Sequence, residues 1–468
     1  VSDAERLQAI DREIAGAIWV SDEPWKNLVY LCDVLGHRFA GSSQEHAAAE
    51  FLKQKMEAYG LAHVQLEEFP IATWERGPCT LILVEPFQRM LPAIAMPYCP
   101  SAAIEGEIVD VGEGELPDFE RCRDVIPGRI VLTDAETNRP GERKSHRIDK
   151  FGWAIERGAI ACLFVNQNPG QLHITGGLRG RGPRGVRADE AEAPIPGLGL
   201  SYETGMLLRR LAKQGTVRLR LETQNRTRDS VSYNVIGEIP GTTKADELIL
   251  VGGHYDGHDI SQGATDDAAG AVVGLEVGRV LAPLRGRLQR TVRILCFGAE
   301  ELGLFGSWYH IEHHAQEHIR FMLNLDGAGR GLGGQEELRL SGWAELVPYF
   351  QQLGQQLAYP FGVRDDLNAH SDHFPFAVHG IPNGTLVSRD ATAGMIGRGW
   401  GHTEADTLDK LSLRGVQLAA MLAARLVVRL SEDDAFPAQR RDLAAVRQQL
   451  ADAGVLDELL ASGRFPQA

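Results

Sequence analysis

The chain has 468 residues, 43% of them hydrophobic and 24% charged, with 63 acidic against 48 basic residues and a formal charge of -15. That length exceeds one ordinary core and implies two or more domains. The acidic balance disfavours nucleic acid or an anionic membrane as partner, and no apolar run approaches the roughly eighteen residues that a spanning helix needs.

The opening stretch, VSDAERLQAIDREIAG, lacks the basic start and apolar core of a leader. The chain also starts without Met, so secretion after removal of a leader stands as the alternative to a cytoplasmic location. The cysteines (32, 79, 99, 122, 162, 296) favour the cytoplasm slightly: they show no short repeated spacing, and Cys162 and Cys296 lie in apolar runs as small buried hydrophobes.

Residues 1 to about 30 carry helical apolar spacing, and AGSSQEHAAAEFLKQKMEAYG places a Ser cap before a helix closed by Gly60. HVQLEEFPI and the run from Cys79 to Val84 read as strands joined by TWERGPC. From about 92 to 225 the texture changes to short strands between turns (GEIVDVG, GRIVLTD, AIACLFVNQ, TVRLRLET) with one helix, KFGWAIERGA. This pattern describes a small separate domain inserted into the chain. Its Gly- and Arg-rich stretch, 169–187, reads as a surface loop, or as a lid whose Arg179, Arg181, Arg184 or Arg187 meets a substrate carboxylate. The α/β pattern then resumes to about residue 432 with ELILVGG, a helix from Asp267, TVRILCFGA, LFGSWYHIEHH, RFMLNLD, ELRLSG, LVPYFQQLGQQL and LRGVQLAAMLAARLVVRL. The tail from Ser431 is charged, and DLAAVRQQLADAGVLDELLASG reads as a helix that packs on the core or meets a second copy in a homodimer. The expected boundaries are 1–91, 92–225, 226–432 and 433–468.

Three apolar runs end in polar clusters, His254-x-Asp256, Glu300-Glu301 and Asp326, and a fourth acidic pair, Asp266-Asp267, opens a helix. In open α/β sheets, ligands gather at the carboxyl ends of strands. Carboxylates mixed with neutral imidazole suit zinc or another divalent transition metal, and a carboxylate can bridge two ions. Asp256 is placed to accept the second N–H of His254 and fix its tautomer. Asp266-Asp267 is either a helix cap or a pair held together by a cation, since adjacent carboxylates repel. Of Glu300 and Glu301, one can bind metal while the other faces an open position as general base. His402 lies in a Gly-rich loop, GWGHTEADT. His310, His313, His314 and His318 show ligand-like spacing, but HEXXH is absent, and a solvated His-rich face is expected.

GGHYDG, GATDDAAGA, FGAEELGLFGS and GHTEADT, in the order H-x-D, DD, EE, D, H, resemble the di-zinc exopeptidases that include bacterial leucyl aminopeptidases and plasma glutamate carboxypeptidase. The resemblance runs from about Arg38 to Leu430, and WERG at 74–77 together with the insert is similar to the latter branch. It implies an α/β fold with a mixed central sheet covered by helices on both faces, and a small β-rich α/β insert of the protease-associated type. It implies two zinc ions, one held by His254, Asp266 and Asp326 and the other by Asp266, Glu301 and His402. Glu300 would be the general base, Asp256 the support for His254, and Asp267 would follow a strained peptide. Two such ions about 3.5 to 4 Å apart acidify a shared water and polarise the scissile carbonyl. HSDHFPFAVHGIP is similar to the segment beside the family's substrate pocket, which puts Asp372 and His373 in the pocket wall, with Asn368, His370 and Ser371 where relatives supply a Tyr-type donor.

The activity implied is hydrolysis of the N-terminal peptide bond of short peptides or dipeptides. A carboxypeptidase or dipeptidase, a single-zinc glutaminyl cyclase and an inactive receptor-like homologue are the alternatives. The last would have lost ligands, and this chain keeps all five with Glu300. The segments 250–270, 298–306, 324–328 and 365–376 are rich in Asp and Glu and contain no Lys or Arg, a balance that favours recognition of a free amino group.

Overall fold

Ser42 opens the helix Ser43–Ala58 by accepting the Glu45 amide at 3.1 Å, and Gly60 at φ +84° ends the turn that follows. This helix belongs to a computed structural model that describes residues 3–137, 145–178, 187–331, 336–388 and 399–466. The chain divides into two compact units, Val1–Phe69 with Val231–Ala391 and Asp406–Ala468, and Pro70–Ser230 with Thr392–Ala405.

The strands, in chain order, are β1 (Ala62–Glu75), β2 (Cys79–Glu85), β3 (Arg89–Leu91), β4 (Ile94–Ala95), β5 (Ala102–Gly112), β6 (Ile130–Asp134), β7 (Ala161–Val165), β8 (Gly197–Leu200), β9 (Arg218–Thr223), β10 (Arg226–Ile239), β11 (Lys244–His254), β12 (Arg290–Phe297), β13 (His318–Asn324), β14 (Glu336–Leu340), β15 (Gly362–Asp365) and β16 (Asn383–Ser388). In the first unit the sheet order is β1-β10-β12-β11-β13-β16-β14-β15. The run β12-β11-β13-β16 is parallel, while β10 on β12 and β14 on β16 are antiparallel, so the sheet is mixed. Every residue of β12 is buried, as expected for a strand covered on both faces.

The helix Ala269–Leu281 is buried at every residue but Arg279 and packs on β11 and on the helix Leu413–Glu432. Its glycines let it approach closely. A Cβ on Gly270 would collide with the Asp267 carboxylate and the Leu325 carbonyl, and one on Gly274 would reach the Gly252 Cα at 3.4 Å. The tail is two helices rather than one, Leu443–Asp452 and Leu456–Ala461, because Gly454 turns the chain at φ +68°. Val446, Leu450 and Leu459 join an apolar cluster with Trp308 and Phe374, so the tail belongs to the first unit's core.

The second unit carries the sheet β3-β2-β9-β5-β6-β7-β8-β4, parallel through β5-β6-β7-β8 and antiparallel elsewhere. Where the sequence puts its start near residue 92, the structure starts it at Pro70, since β2 and β3 pair into the same sheet as β9. TWE, expected as a linker, is the end of β1.

Candidate metal centre

β11 ends at His254, which pairs in register with Phe297 at the end of β12, and Gly252 pairs with Asn324 at the end of β13. Three parallel strands therefore deliver His254, the turn after Phe297 and Asp326 to one edge of the sheet. Arg38 steadies the loop between His254 and Asp266 by donating to the carbonyls of Tyr255 at 2.6 Å, Gln262 at 2.6 Å and Gly263 at 2.9 Å.

His254, Asp266 and Asp326 offer donor atoms within 4.8 Å of one another. The His254 Nδ1 faces the Asp256 main-chain carbonyl at 3.1 Å, which fixes that nitrogen as the N–H and leaves Nε2 as a lone-pair donor. That Nε2 is buried without a hydrogen-bond partner and lies 3.5 Å from Asp266 Oδ1 and 4.0 Å from Glu300 Oε2. A buried imidazole lone pair aimed at two carboxylates fits a divalent cation.

The Asp256 carboxylate does more than the sequence implied, its Oδ1 lying 3.5 Å from His254 Nδ1. Its oxygens accept the main-chain N–H of Glu300 at 3.0 Å and of Glu301 at 3.2 Å, so it holds the loop of both glutamates, while its backbone carbonyl orients His254. Asp266 is placed through its backbone as well: Asp406 accepts the amides of Thr265 at 2.7 Å and Asp266 at 3.1 Å. The Asp266–Asp267 peptide is cis. Asp267 points away from a ligand's task, since its Oδ1 accepts from Gly270 at 3.2 Å and Gly327 at 3.1 Å, capping the buried helix. Asp326 Oδ2 receives the Ser371 hydroxyl at 2.6 Å, and Ser371 is held in turn by Asn324 at 2.7 Å.

Two residues here escape the sequence reading. His258, the second histidine of HYDGHD, is buried with Nε2 3.0 Å from Glu301 Oε2. Arg330 reaches back to lie 3.4 Å from both Asp266 and Asp326 while donating to the Thr265 carbonyl at 2.6 Å. The expectation of a motif region free of cations is therefore corrected: the segments named carry none, but a guanidinium four residues after Asp326 lies against two of the acids.

Burial drives the electrostatics. It pushes Glu300 well above the carboxylate range, opposed by His254 and reinforced by Glu301, Asp372 and Asp326. For His254 burial opposes the charged ring, yet Glu300, Asp256 and Asp266 outweigh it and hold the imidazole above its ordinary value. Burial brings Asp372 to about 7 and Asp406 to about 6. Carboxylates this crowded call for a cation, and a bound ion would reverse the direction of these shifts.

Of the expected pocket residues, Asp372 and His373 are buried, and His373 Nδ1 faces Thr385 Oγ1 at 3.0 Å. His370 is exposed, its amide tied to Asn368 Oδ1 at 3.0 Å. His402 lies in the second unit, buried, with Nδ1 3.1 Å from the Thr175 carbonyl, the same orienting device that His254 uses. Arg179, Arg181 and Arg184 lie outside the described residues, and Arg187 is paired with Asp189 at 3.1 Å. The helix Phe305–His314 corrects the solvated histidine face: His310 is fully buried, because the ring packs against Phe297 and Phe376.

A mixed α/β sheet with imidazole and carboxylate groups gathered at the ends of its parallel strands fits a zinc-dependent metallopeptidase. Residues 234–427 match the model of peptidase family M28. It is 28% identical to aminopeptidase YwaD of Bacillus subtilis over 413 residues, 86% of this chain and 83% of the relative. It is 26% identical to human carboxypeptidase Q over 414 residues, with the same two coverages, 86% and 83%. Among solved structures, a peptidase M28 precursor from Shewanella amazonensis superposes with a TM-score of 0.77 at 22% identity, covering 94% of this chain and 99% of that one, a likeness of fold.

Proposed function

We propose that this metallopeptidase is an exopeptidase that removes the N-terminal residue of short peptides, dipeptides included. The observation that carries the reading is the triad of buried His254, buried Asp266 and half-buried Asp326 with Glu300 beside it. In this reading those three hold one zinc, while Asp266 and Glu301 serve a second. His258 is at hand through its approach to Glu301, and the sequence motif adds His402. When bound, the ions acidify water and polarise the scissile carbonyl. Glu300, its backbone fixed by Asp256, takes the proton of the attacking water and passes it to the leaving amine.

The terminus is read by charge. Asp372, buried in the same acidic neighbourhood, offers its carboxylate to the substrate's ammonium group. Arg330 is engaged by Asp266, Asp326 and the Thr265 carbonyl, and so has little left for a substrate carboxylate. The carboxypeptidase Q relatives favour a second reading, in which the substrate's free carboxyl terminus is read.

Aminoacyl-nitroanilides, free dipeptides and peptides blocked at either end, assayed with and without chelator, test this. Free-amine substrates should turn over, chelator should abolish the activity, and N-acetylation should lower kcat/KM at least tenfold. Equal rates for acetylated and free peptides would remove the amino group from the recognition, and activity confined to free carboxyl termini would establish the second reading.

A further inference from the structure

The histidines of the helix Phe305–His314 form a second cluster that shares no residue with the catalytic one. His310 and His314, four apart, stand on one helix face with rings stacked at 4.2 Å between centroids. Glu67 of β1 meets both, with Oε2 3.0 Å from His310 Nδ1 and Oε1 2.9 Å from His314 Nε2. The three donor atoms lie within 4.8 Å of one another.

The surroundings have the form of a supported ligand set. Glu317 faces the other nitrogen of His314 at 3.0 Å, as carboxylates do behind metal-bound imidazoles. Asn234 donates to Glu67 Oε2 at 2.7 Å and to the Gly306 carbonyl at 2.9 Å, and its Oδ1 accepts the Gly298 amide at 3.3 Å. His310 is fully buried, whereas the side chains of His314 and Glu67 keep 23% and 12% of their exposure, which leaves one side open to a water ligand. Two imidazoles and a carboxylate with room for water match the donor count and type of a four-coordinate zinc.

We propose that Glu67, His310 and His314 form a further zinc site, separate from the catalytic ions, that clamps β1 to the helix Phe305–His314. The helix begins just after the Glu300–Glu301 loop, and Asn234 connects the clamp to the start of that loop at Gly298. The ion's task is therefore to brace the loop that carries the base, through Glu67 and Asn234.

The test is the zinc content of the full-length protein after saturation with zinc and removal of the excess, compared between wild type, Glu67→Gln and His314→Gln, each first shown to unfold cooperatively. One ion fewer per chain in both variants than in wild type is the expected result, whatever the catalytic complement proves to be. An equal zinc content in all three would overturn the proposal and leave a carboxylate–imidazole hydrogen-bond network. Should the variants not fold, an anomalous-difference map of zinc-soaked wild-type crystals decides: a peak among these three side chains supports the site, and its absence at full catalytic occupancy overturns it.

Discussion

Two clusters in the first unit are built from the same residue types and arrive at opposite charge balances. Around Asp266 the acids crowd together (Asp256, Asp267, Glu300, Glu301, Asp326, Asp372) with Arg330 as the one permanent side-chain cation that touches them among the described residues. Around Glu67 every carboxylate meets a base: Glu67 has His310 and His314, and Glu317 has His314 and Arg293. Burial and excess negative charge drive Glu300 up, whereas its partners hold Glu317 down at about 2 and raise His314 to about 9. Metal is thus an electrostatic requirement of the first cluster, while at the second an ion would take the place of the protons that the imidazoles share with Glu67.

The largest break in that comparison should come from Asp266, the residue proposed to serve both ions. Asp266→Ala is expected to lower zinc content and to reduce kcat/KM by about four orders of magnitude or more, the scale on which a metal-dependent step fails. Near-normal turnover with full metal content would move the bridge elsewhere. Glu300→Gln separates proton transfer from metal binding, since it keeps the shape and removes the proposed base. Zinc content should stay unchanged while kcat falls about 100-fold to 10,000-fold. Loss of metal together with turnover would make Glu300 a ligand instead.

His258 sharpens the same contrast on a smaller scale. Its 3.0 Å approach to Glu301 makes it either a donor to the second ion or the orienting partner of that ligand. In both cases His258→Ala should weaken the proposed second zinc by about 10-fold to 100-fold in competition with a chelator. An unaltered chelator titration would reduce His258 to packing.

What the sequence revealed and what it hid follow one physical rule. β11 and β12 were legible because strands buried on both faces read as unbroken apolar runs, and the polar residue that stops each run lies at the sheet edge where ligands gather. The strand-end clusters and the pair Asp266-Asp267 could thus be gathered into one metal site before any distance was known, while the grouping of His254 with Asp266 and Asp326 came from the resemblance to the di-zinc exopeptidases. Residues that act from elsewhere in the chain carried no such mark. Glu67 sits in HVQLEEFPI as an ordinary polar position of an edge strand, and its meeting with His310 depends on a contact 243 residues away in sequence. Arg330 acts by folding back, and Asp406 acts through backbone amides far upstream. The break of the tail at Gly454 was in plain sight as a glycine between two apolar patterns, yet helical periodicity on both sides masked it.

Glu45 supplies a third way of burying a carboxylate, with a proton, and its effect is read in stability rather than in turnover. It is fully buried, receiving the Tyr255 hydroxyl at 3.0 Å, the Ser232 hydroxyl and the Gly41 amide at 3.2 Å, with His46 Nε2 at 3.5 Å. Burial pushes it up to about 8 against those hydrogen bonds, and the charge of Asp256 adds to the push. A folded-state value above the unfolded one means that the folded protein binds more protons between the two, so stability falls as pH rises from about 4.5 towards about 8 and is flat in this respect beyond. A tenfold change in an acid's dissociation constant corresponds to about 1.4 kcal/mol, which bounds the loss at a few kcal/mol. Denaturant unfolding of the zinc-loaded protein at pH 5, 6.5 and 8 should show that decline, and Glu45→Gln, neutral at every pH, should flatten it. A slope unchanged by the substitution would mean that Glu45 is ionised in the folded protein, and that the bound ions reach far enough to hold it so.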